Sequence, residues 1–427
     1  MQRQRVIALL TAPALLASAM GFTMTAQAAT PTTVTFWNAM SSGTLKPALN
    51  TLIAEFNRTH PTIRVVGVAE PDYGVLEQKL LASIAAGNPP VMSQAYENWV
   101  ANFVNDGALV PLTSYIHGKN GLTPSQIKDF WSILWKDGQL KGVQWMIPFN
   151  KSDIVLYYNK TMFKQAGIKA PPATWPQFVQ DAKKLTTGSH WGITFVPGTN
   201  ASGGEEQFES MIAAWGGHVT NKSQTRLTID TKAAIEPLTM FRDMVKAGTM
   251  KLSTGYGDQS DFGAQKAAMI IGTIAGYYYV KKADGGKFPM GIAMLPAGPK
   301  GIRTAIQGTD LVIYKHATAA QRAAAWTFMK WLTSPGPAAY WAVHTGYLPV
   351  TKTAYHHLAG YYKTHPNQGV AALQLKYGYF EPANPNWEHV ADKIAQNVDA
   401  CLLGKETPAQ AMKLAQQEGQ PILSGQP

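Results

Sequence analysis

Residues 33–95 read TVTFWNAMSSGTLKPALNTLIAEFNRTHPTIRVVGVAEPDYGVLEQKLLASIAAGNPPVMSQA, and this stretch decides the fold class. A short β-like run, Thr33–Trp37, precedes residues 45–56, whose apolar side chains recur at helical spacing. Ile63–Val68 predicts a second strand, residues 76–84 a second helix, and Val91–Ala95 a third strand. This alternation predicts parallel strands with helices packed on the faces of the sheet.

Later segments repeat the same alternation. Asp153–Tyr158 predicts a strand that leads into a helix at Met162–Ala166, and Leu311–Tyr314 predicts another strand. Residues 318–321 and 407–410 each place threonine three positions before glutamine, the spacing of a capping box that starts a helix. We therefore predict an α/β protein with more than one sheet.

The N-terminus has the features of a secretory signal peptide. Arg3 and Arg5 precede a mostly apolar run, Val6–Met20, and residues 26–28 read Ala-Gln-Ala. A membrane-spanning helix, the alternative, needs about 20 apolar residues, and polar residues interrupt this run too early. We predict that residues 1–28 are a signal peptide and that the mature protein is periplasmic or secreted.

Cysteine usage limits the chemistry of the mature chain. Its single cysteine is Cys401, so no lipobox cysteine follows the signal peptide, and neither an internal disulfide nor a thiolate metal cluster is expected. After removal of 28 of the 427 residues, the chain is long enough for two domains.

Net charge is +11 and the sequence pI is about 9.4, values that also occur in nucleic-acid-binding proteins. The basic residues are scattered, however, and no basic run is longer than Lys183-Lys184 or Lys281-Lys282. We expect a small-molecule ligand and no nucleic-acid partner.

Catalytic and cofactor motifs are missing from the sequence. It contains no Gly-x-Ser-x-Gly elbow, no His-Glu-x-x-His and no phosphate-binding glycine loop. Glu205 and Glu206 are adjacent, but glycosidase carboxylates need defined positions on opposite sides of a sugar. We expect no enzyme, no cofactor and no metal. Tyrosines in turns, such as Tyr73, Tyr96 and Tyr347, fit either a ligand cleft or a cover over the core ends.

Four sequence blocks resemble the family 1 extracellular solute-binding proteins of ABC importers. They are Thr35–Met40, Phe149–Ser152, Leu156–Lys160 and Thr345–Lys352. The likeness runs from about Thr33 to the C-terminus and is strongest to the members that bind glycerol 3-phosphate. It implies a two-lobed periplasmic-binding-protein fold with a hinge and a central ligand cleft.

The resemblance also implies how the chain divides. Crossings between the lobes are expected near residues 150–153, 305–310 and 346–350. The N-terminal lobe would contain residues 29–150 and 309–346, and the C-terminal lobe would contain residues 152–306 and 348–427.

Positions that match the family's ligand cleft carry groups suited to hydroxyl-rich ligands. Carboxylates accept hydrogen bonds, hydroxyls donate and accept them, tyrosines offer ring faces, and glycine permits close approach of the backbone. The implied ligand-binding residues are Tyr73, Glu97, Ser152, Thr273, Gly308 and Tyr347, and Glu206 joins them from a segment that departs from the family pattern.

Two departures from the family pattern affect which ligand is expected. Glycerol-3-phosphate binders have an arginine for the phosphate, whereas Glu381–Asp392 contains none and Ala391 stands at or near its position. Hydrogen bonds to charged groups contribute about 1.5–3 kcal/mol, so the loss of one weakens phosphate binding roughly tenfold to a hundredfold. Carboxylates at Glu205 or Glu206 would repel phosphate further. Lys151 or Lys352 could compensate, although lysines near a hinge are usually solvated.

These observations predict a monomer that delivers a neutral saccharide or polyol to ABC permease subunits. Glycerol 3-phosphate or a glycerophosphodiester is the alternative ligand. A sensory or adhesive surface protein without a transport role is the alternative from another class, because fold does not dictate function.

Overall fold

A computed structural model describes residues 30–198 and 204–426, with no side chain described at 204 and 205. The predicted signal peptide, residues 1–28, and the Glu205 side chain therefore lie outside the described part. Within it the strands are β1 (Thr32–Asn38), β2 (Ile63–Ala69), β3 (Met92–Ala95), β4 (Gln139–Leu140), β5 (Val143–Gln144), β6 (Ile147–Asn159), β7 (Trp191–Phe195), β8 (Met250–Leu252), β9 (Ala267–Thr273), β10 (Met290–Ala293), β11 (Thr304–Ile313) and β12 (Gly378–Tyr379).

Helices cover both faces of the strands. They are α1 (Leu45–Thr59), α2 (Tyr73–Ala85), α3 (Glu97–Asn105), α4 (Thr113–His117), α5 (Pro124–Asp129), α6 (Ser132–Asp137), α7 (Lys160–Gln165), α8 (Trp175–Leu185), α9 (Gly204–Ala214), α10 (Lys232–Lys246), α11 (Gly257–Gly263), α12 (Tyr277–Asp284), α13 (Ala319–Leu332), α14 (Pro335–Thr345), α15 (Lys352–His357), α16 (Ala359–Thr364), α17 (Pro366–Gln374), α18 (Trp387–Leu402) and α19 (Pro408–Leu423).

The opening βαβαβ stretch folds as its sequence predicts. β1 pairs in parallel with both β2 and β3. α1 buries Leu49, Leu52 and Phe56 on one face, which is the face that the apolar spacing predicts. The predicted capping boxes at residues 318–321 and 407–410 are both formed, at the starts of α13 and α19.

The structure has more than one sheet, as predicted, but one large sheet contains most of the strands. Hydrogen bonds join ten strands in the order β2-β1-β3-β11-β6-β9-β7-β8, with β10 added to β6 and β12 to β11. β4 and β5 form a separate two-stranded sheet. The large sheet is continuous because its two long strands, β6 and β11 with 13 and 10 residues, pair with each other, while β11 also pairs with β3 and β6 with β9.

Two hydrophobic clusters fill the interior. One is built around rings such as Phe56, Phe328 and Trp341, and the other around Trp175, Phe241 and Trp387. β6 contributes to both, since Val155 and Tyr157 belong to the first cluster whereas Ile154 and Leu156 belong to the second. The alternation of side chains along a strand explains this division. Among the described residues, none of the helices combines the length and apolar character needed to cross a membrane.

Candidate ligand-binding cleft

A large cavity of about 1230 Å³ opens beside the middle of the sheet, where β6, β9 and β11 contribute lining residues. Its volume exceeds the roughly 300–1,000 Å³ typical of small-molecule sites. Six tyrosines are part of its lining: Tyr73, Tyr96, Tyr157, Tyr256, Tyr279 and Tyr347. This cavity therefore offers many ring faces and phenolic hydroxyls to a ligand.

A hydrogen-bond network fixes two of these tyrosines. The hydroxyls of Tyr73 and Tyr347 lie 3.3 Å apart, and the Asn150 amide donates to the Tyr73 hydroxyl at 2.8 Å. The amide oxygen of Asn150 accepts from Gln94 at 2.7 Å and from Thr309 at 2.5 Å. Because four chain segments converge on Asn150, the two rings are held before any ligand arrives.

Hydroxyl groups line the opposite part of the large cavity. Thr273 donates to Ser152 at 3.0 Å, and the Tyr157 hydroxyl donates to the backbone carbonyl of Thr273 at 2.8 Å. Gly308 adopts φ +92°, and β11 runs so close to β6 that a Cβ at this position would stand 1.9 Å from the carbonyl oxygen of Asn150. Only glycine fits there.

The structure brings six of the seven predicted residues to the large cavity, namely Tyr73, Ser152, Glu206, Thr273, Gly308 and Tyr347. Glu97 lies instead in an adjoining pocket of about 240 Å³, which Tyr73 and Glu206 also line. Sequence reasoning left out several lining residues, among them Tyr96, Tyr256, Tyr279, Gln307, Glu381 and Glu388. The sequence places Tyr96 in a turn, but nothing in it indicates which elements meet at the cavity.

The three predicted crossings lie side by side next to the large cavity. In the β6–β11 pairing, Lys151 is opposite Gly308 and Ser152 is opposite Gln307. The amide of Leu348 donates to the carbonyl of Lys151 at 2.8 Å. The backbone at Lys151 therefore contacts both of the other crossing segments.

Lys151 itself is not solvated, contrary to the expectation for a lysine near a hinge. Its side chain is fully buried, and its ammonium contacts Asp137 at 2.5 Å, Asp310 at 2.8 Å and the Gly308 carbonyl at 2.9 Å. Burial alone would lower the pKa of Lys151, but the two carboxylates outweigh it and raise the pKa. Lys352 donates to the carbonyl of Lys128 at 2.6 Å. Neither lysine lines the large cavity or the smaller pocket.

Carboxylates dominate the smaller pocket, which we call the acidic pocket. Its lining includes Glu77, Glu97, Glu206, Glu381 and Glu388, together with Ala391 at the expected arginine position. Burial, together with the nearby Glu206 and Glu388 carboxylates, raises the pKa of Glu381 to about 8, against the lowering effect of the hydrogen bond from the Trp387 indole. The pKa of Glu77 rises to about 7, through burial and then Glu388.

We expect these raised pKa values to make the protein less stable at pH 8 than at pH 5. A carboxylate whose folded pKa lies above the unfolded value of 4.5 binds more protons in the native state. The stability that it contributes is complete below pH 4.5 and is lost as pH rises through the folded pKa, about 8 for Glu381. Chemical denaturation at both pH values measures the difference.

Glu381→Gln should reduce that difference, because glutamine keeps the size and the oxygen acceptor for the Trp387 indole but does not titrate. Exposed Glu55 provides the matched control, Glu55→Gln, which should follow the wild type. An unchanged pH dependence in Glu381→Gln would show that this carboxylate does not titrate as described.

The family described as bacterial extracellular solute-binding protein matches residues 51–370. Among curated proteins, the chain is similar to the sn-glycerol-3-phosphate-binding periplasmic protein UgpB of Pectobacterium atrosepticum, 29% identical with 94% of this chain and 93% of that protein covered. UgpB of Escherichia coli is 28% identical, with 95% and 96% covered. These relatives are named as binding proteins and not as enzymes.

Solved structures show the same fold. UgpB from Mycobacterium tuberculosis in complex with glycerophosphocholine superposes with a TM-score of 0.80 at 23% identity, covering 92% of this chain and 98% of that one. The sugar-binding protein MalE from Xanthomonas citri gives 0.81 at 20% identity, with the same coverage. The prediction of a two-lobed α/β binding-protein fold is therefore confirmed.

Proposed function

The chain belongs to the bacterial extracellular solute-binding proteins, and from that premise we propose that it captures a saccharide or polyol for an ABC importer. The observation that carries this proposal is the lining of the large cavity. Six tyrosines stand there with the hydroxyls of Ser152 and Thr273 and the carboxylate of Glu206. Ring faces pack on the apolar faces of a sugar, and hydroxyls and carboxylates bind its hydroxyl groups.

Glycerol 3-phosphate or a glycerophosphodiester is the second candidate, favoured by the names of the curated relatives. The charges of the site argue against it. Neither arginine nor histidine is among the described residues that line the large cavity and the acidic pocket, and the only lysine is Lys282. Five glutamates line the acidic pocket, and those that are ionised would repel a phosphate.

Closure around the ligand would use the three crossings. In this proposal the N-terminal lobe contains residues 29–150 and 309–346, and the C-terminal lobe residues 152–306 and 348–427. The support is local, because the segments at 305–310 and 346–350 are each hydrogen-bonded to the segment that contains Lys151. Each segment has only a few residues in which backbone angles would change on closure.

A role in transport also implies where the protein acts and which partner it meets. The protein would act as a periplasmic or secreted monomer, without catalysis, and would dock on ABC permease subunits. Membership of an extracellular family and similarity to periplasmic binding proteins support this location.

A thermal-shift screen tests the ligand class. We expect maltose, maltotriose or another saccharide or polyol to raise the melting temperature, and glycerol 3-phosphate and glycerophosphocholine to leave it unchanged. A ligand at about 100 times its Kd stabilises the native state by about 2.7 kcal/mol, which corresponds to a shift of several degrees. A shift with the phosphate compounds alone would favour the second candidate.

Two variants test whether the ligand that shifts the melting temperature binds at the proposed site. Glu97→Ala and Tyr347→Ala should each weaken binding of the ligand found in the screen by roughly tenfold or more, because each removes a group from the proposed site. If Glu97→Ala bound every candidate as tightly as the wild type, Glu97 would have no place in the site.

A further inference from the structure

The acidic pocket has more carboxyl groups than recognition of neutral hydroxyls requires. Five glutamates line its volume of about 240 Å³, and its described lining contains no lysine, arginine or histidine. Glu209, fully buried behind it, adds a sixth carboxylate: burial and then Glu381 and Glu206 raise the pKa of Glu209. The lining thus supplies no cation to these carboxyl groups, although the charge of Lys151, outside the lining, opposes the rise that burial causes in the pKa of Glu97.

Buried oxygens of this group have no hydrogen-bond partner in the described part of the chain. Glu97 is 6% exposed and lines the acidic pocket, and its Oε2 has no partner. Both carboxylate oxygens of Glu209 are likewise unpartnered. An unmade hydrogen bond of a buried polar group is costly, so a donor that a ligand brings to Glu97, which lines the pocket, would be bound strongly.

Aromatic rings form another part of the lining. Tyr73, Tyr96 and Trp99 pack against one another at interplanar angles of 62° to 73°, with ring centroids 5.1 to 6.5 Å apart. Trp387 joins them in the lining. Aromatic faces attract cations, most strongly where water is excluded.

We propose that the acidic pocket binds a protonated amino group of the ligand, so that the saccharide or polyol of the proposed function carries an N–H-bearing ammonium. This inference rests on the proposed function and narrows its ligand class to amino sugars and amino polyols. It replaces the neutral ligand that the sequence predicts by one whose positive charge matches the pocket.

The chemistry favours an amine over two other cations. A quaternary ammonium has no N–H to give to the unpartnered carboxylate oxygens. Glu97, Asp137 and Asp310 lie close enough to hold a metal ion, but the ammonium of Lys151 already bonds both aspartates. That arrangement also shows, within the same protein, how carboxylates beside Glu97 accommodate a primary ammonium.

Calorimetric titration with matched pairs of compounds tests the inference. Glucosamine and glucose differ only at one amino or hydroxyl group, and chitobiose and cellobiose differ in the same way at two positions. Spermidine provides amines without hydroxyls, choline a quaternary ammonium and calcium chloride a metal ion. We expect at least one amino sugar to bind tenfold or more tightly than its hydroxyl twin.

Proton release provides a second readout. Because Glu381 has a pKa raised to about 8, it is partly protonated at pH 7.5 and should ionise when an ammonium binds. Titration in phosphate and in MOPS, which differ in heat of ionisation and neither of which is a primary amine, should therefore give different enthalpies for the amino sugar only.

Glu381→Gln is the decisive variant. It removes one charge and keeps the shape, so amino-sugar affinity should fall roughly tenfold to a hundredfold while affinity for the neutral twin stays the same. Exposed Glu55→Gln should bind like the wild type, which separates the pocket from the overall charge.

The outcomes separate this inference from the proposed function. Saccharide binding without preference for amines overturns the inference and leaves the proposed function intact. Amine binding with no response to any saccharide or polyol contradicts the proposed function but supports the pocket's specificity for ammonium. Binding of choline or calcium in preference to every N–H-bearing amine, or no binding by any probe, overturns the inference.

Discussion

Replacing Lys151 by methionine should lower the free energy of unfolding by about 3–5 kcal/mol at pH 7.5, the cost of removing one partner from a buried ion pair. Lys151 is fully buried between Asp137 and Asp310. Methionine has similar length and no charge, so it fills the space but leaves the two carboxylates facing each other without a cation. Chemical denaturation monitored by tryptophan fluorescence measures the loss.

The loss should shrink at lower pH, because protonated carboxylates need no counter-charge. Burial already raises the pKa of Asp310 to about 8, against the lowering effect of Lys151. Removal of the lysine raises the pKa of Asp310 further. As pH falls, the variant therefore begins to bind protons at a higher pH than the wild type does, and it regains stability over that wider range.

Two controls make this prediction specific. Exposed Lys46→Met should change stability by no more than about 0.5 kcal/mol. The triple variant Lys151→Met/Asp137→Asn/Asp310→Asn should recover part of the loss, because it removes both carboxylates that bond the Lys151 ammonium. A single variant as stable as the wild type would mean that the buried cluster contributes nothing to the fold.

The same cluster explains where sequence reasoning fell short on the fold. The opening strands and helices follow from apolar spacing, and their predicted bounds agree with β1 to β3 within one or two residues. For β6 the prediction began at Asp153, whereas the strand begins at Ile147. Polar residues at 150–152 hid the strand, since their partners at Gln94, Asp137 and Asp310 are distant in sequence.

The site shows a similar limit. Six predicted residues line the large cavity because they match motifs of a family whose fold this chain shares. The acidic pocket could not be predicted, because Glu77, Glu206, Glu381 and Glu388 come from widely separated parts of the chain. The sequence shows that the arginine is missing. It does not show that carboxylates surround the arginine's position, because that depends on the packing of α2, α9 and α18.

Gly308→Ala should be as destabilising as Lys151→Met, by about 3–5 kcal/mol, through the backbone and without any change of charge. Its φ of +92° is unfavourable for any L side chain, and a Cβ would stand 1.9 Å from the carbonyl oxygen of Asn150 and 3.1 Å from the Cα of Lys151. Those atoms belong to β6 and cannot rotate away, so β6 and β11 would have to separate where the crossings touch. Separation would also move the Gly308 carbonyl away from the Lys151 ammonium, from which it accepts a hydrogen bond at 2.9 Å.

Gly87→Ala is the matched control for Gly308→Ala, because Gly87 has φ +70° but no atom within 4 Å of the added Cβ. It should lose only the roughly 1–2 kcal/mol of left-handed backbone strain, and the excess in Gly308→Ala then measures the contact between β6 and β11. Equal losses in the two variants would show that this close approach has no energetic consequence. Since Gly308 and Lys151 are directly bonded, the Gly308→Ala/Lys151→Met double variant should lose less than the sum of the single losses. Strictly additive losses would mean that the backbone contact and the buried charges act independently. A loss smaller than the sum, which we expect, would show that both stabilise the same junction of the two long strands.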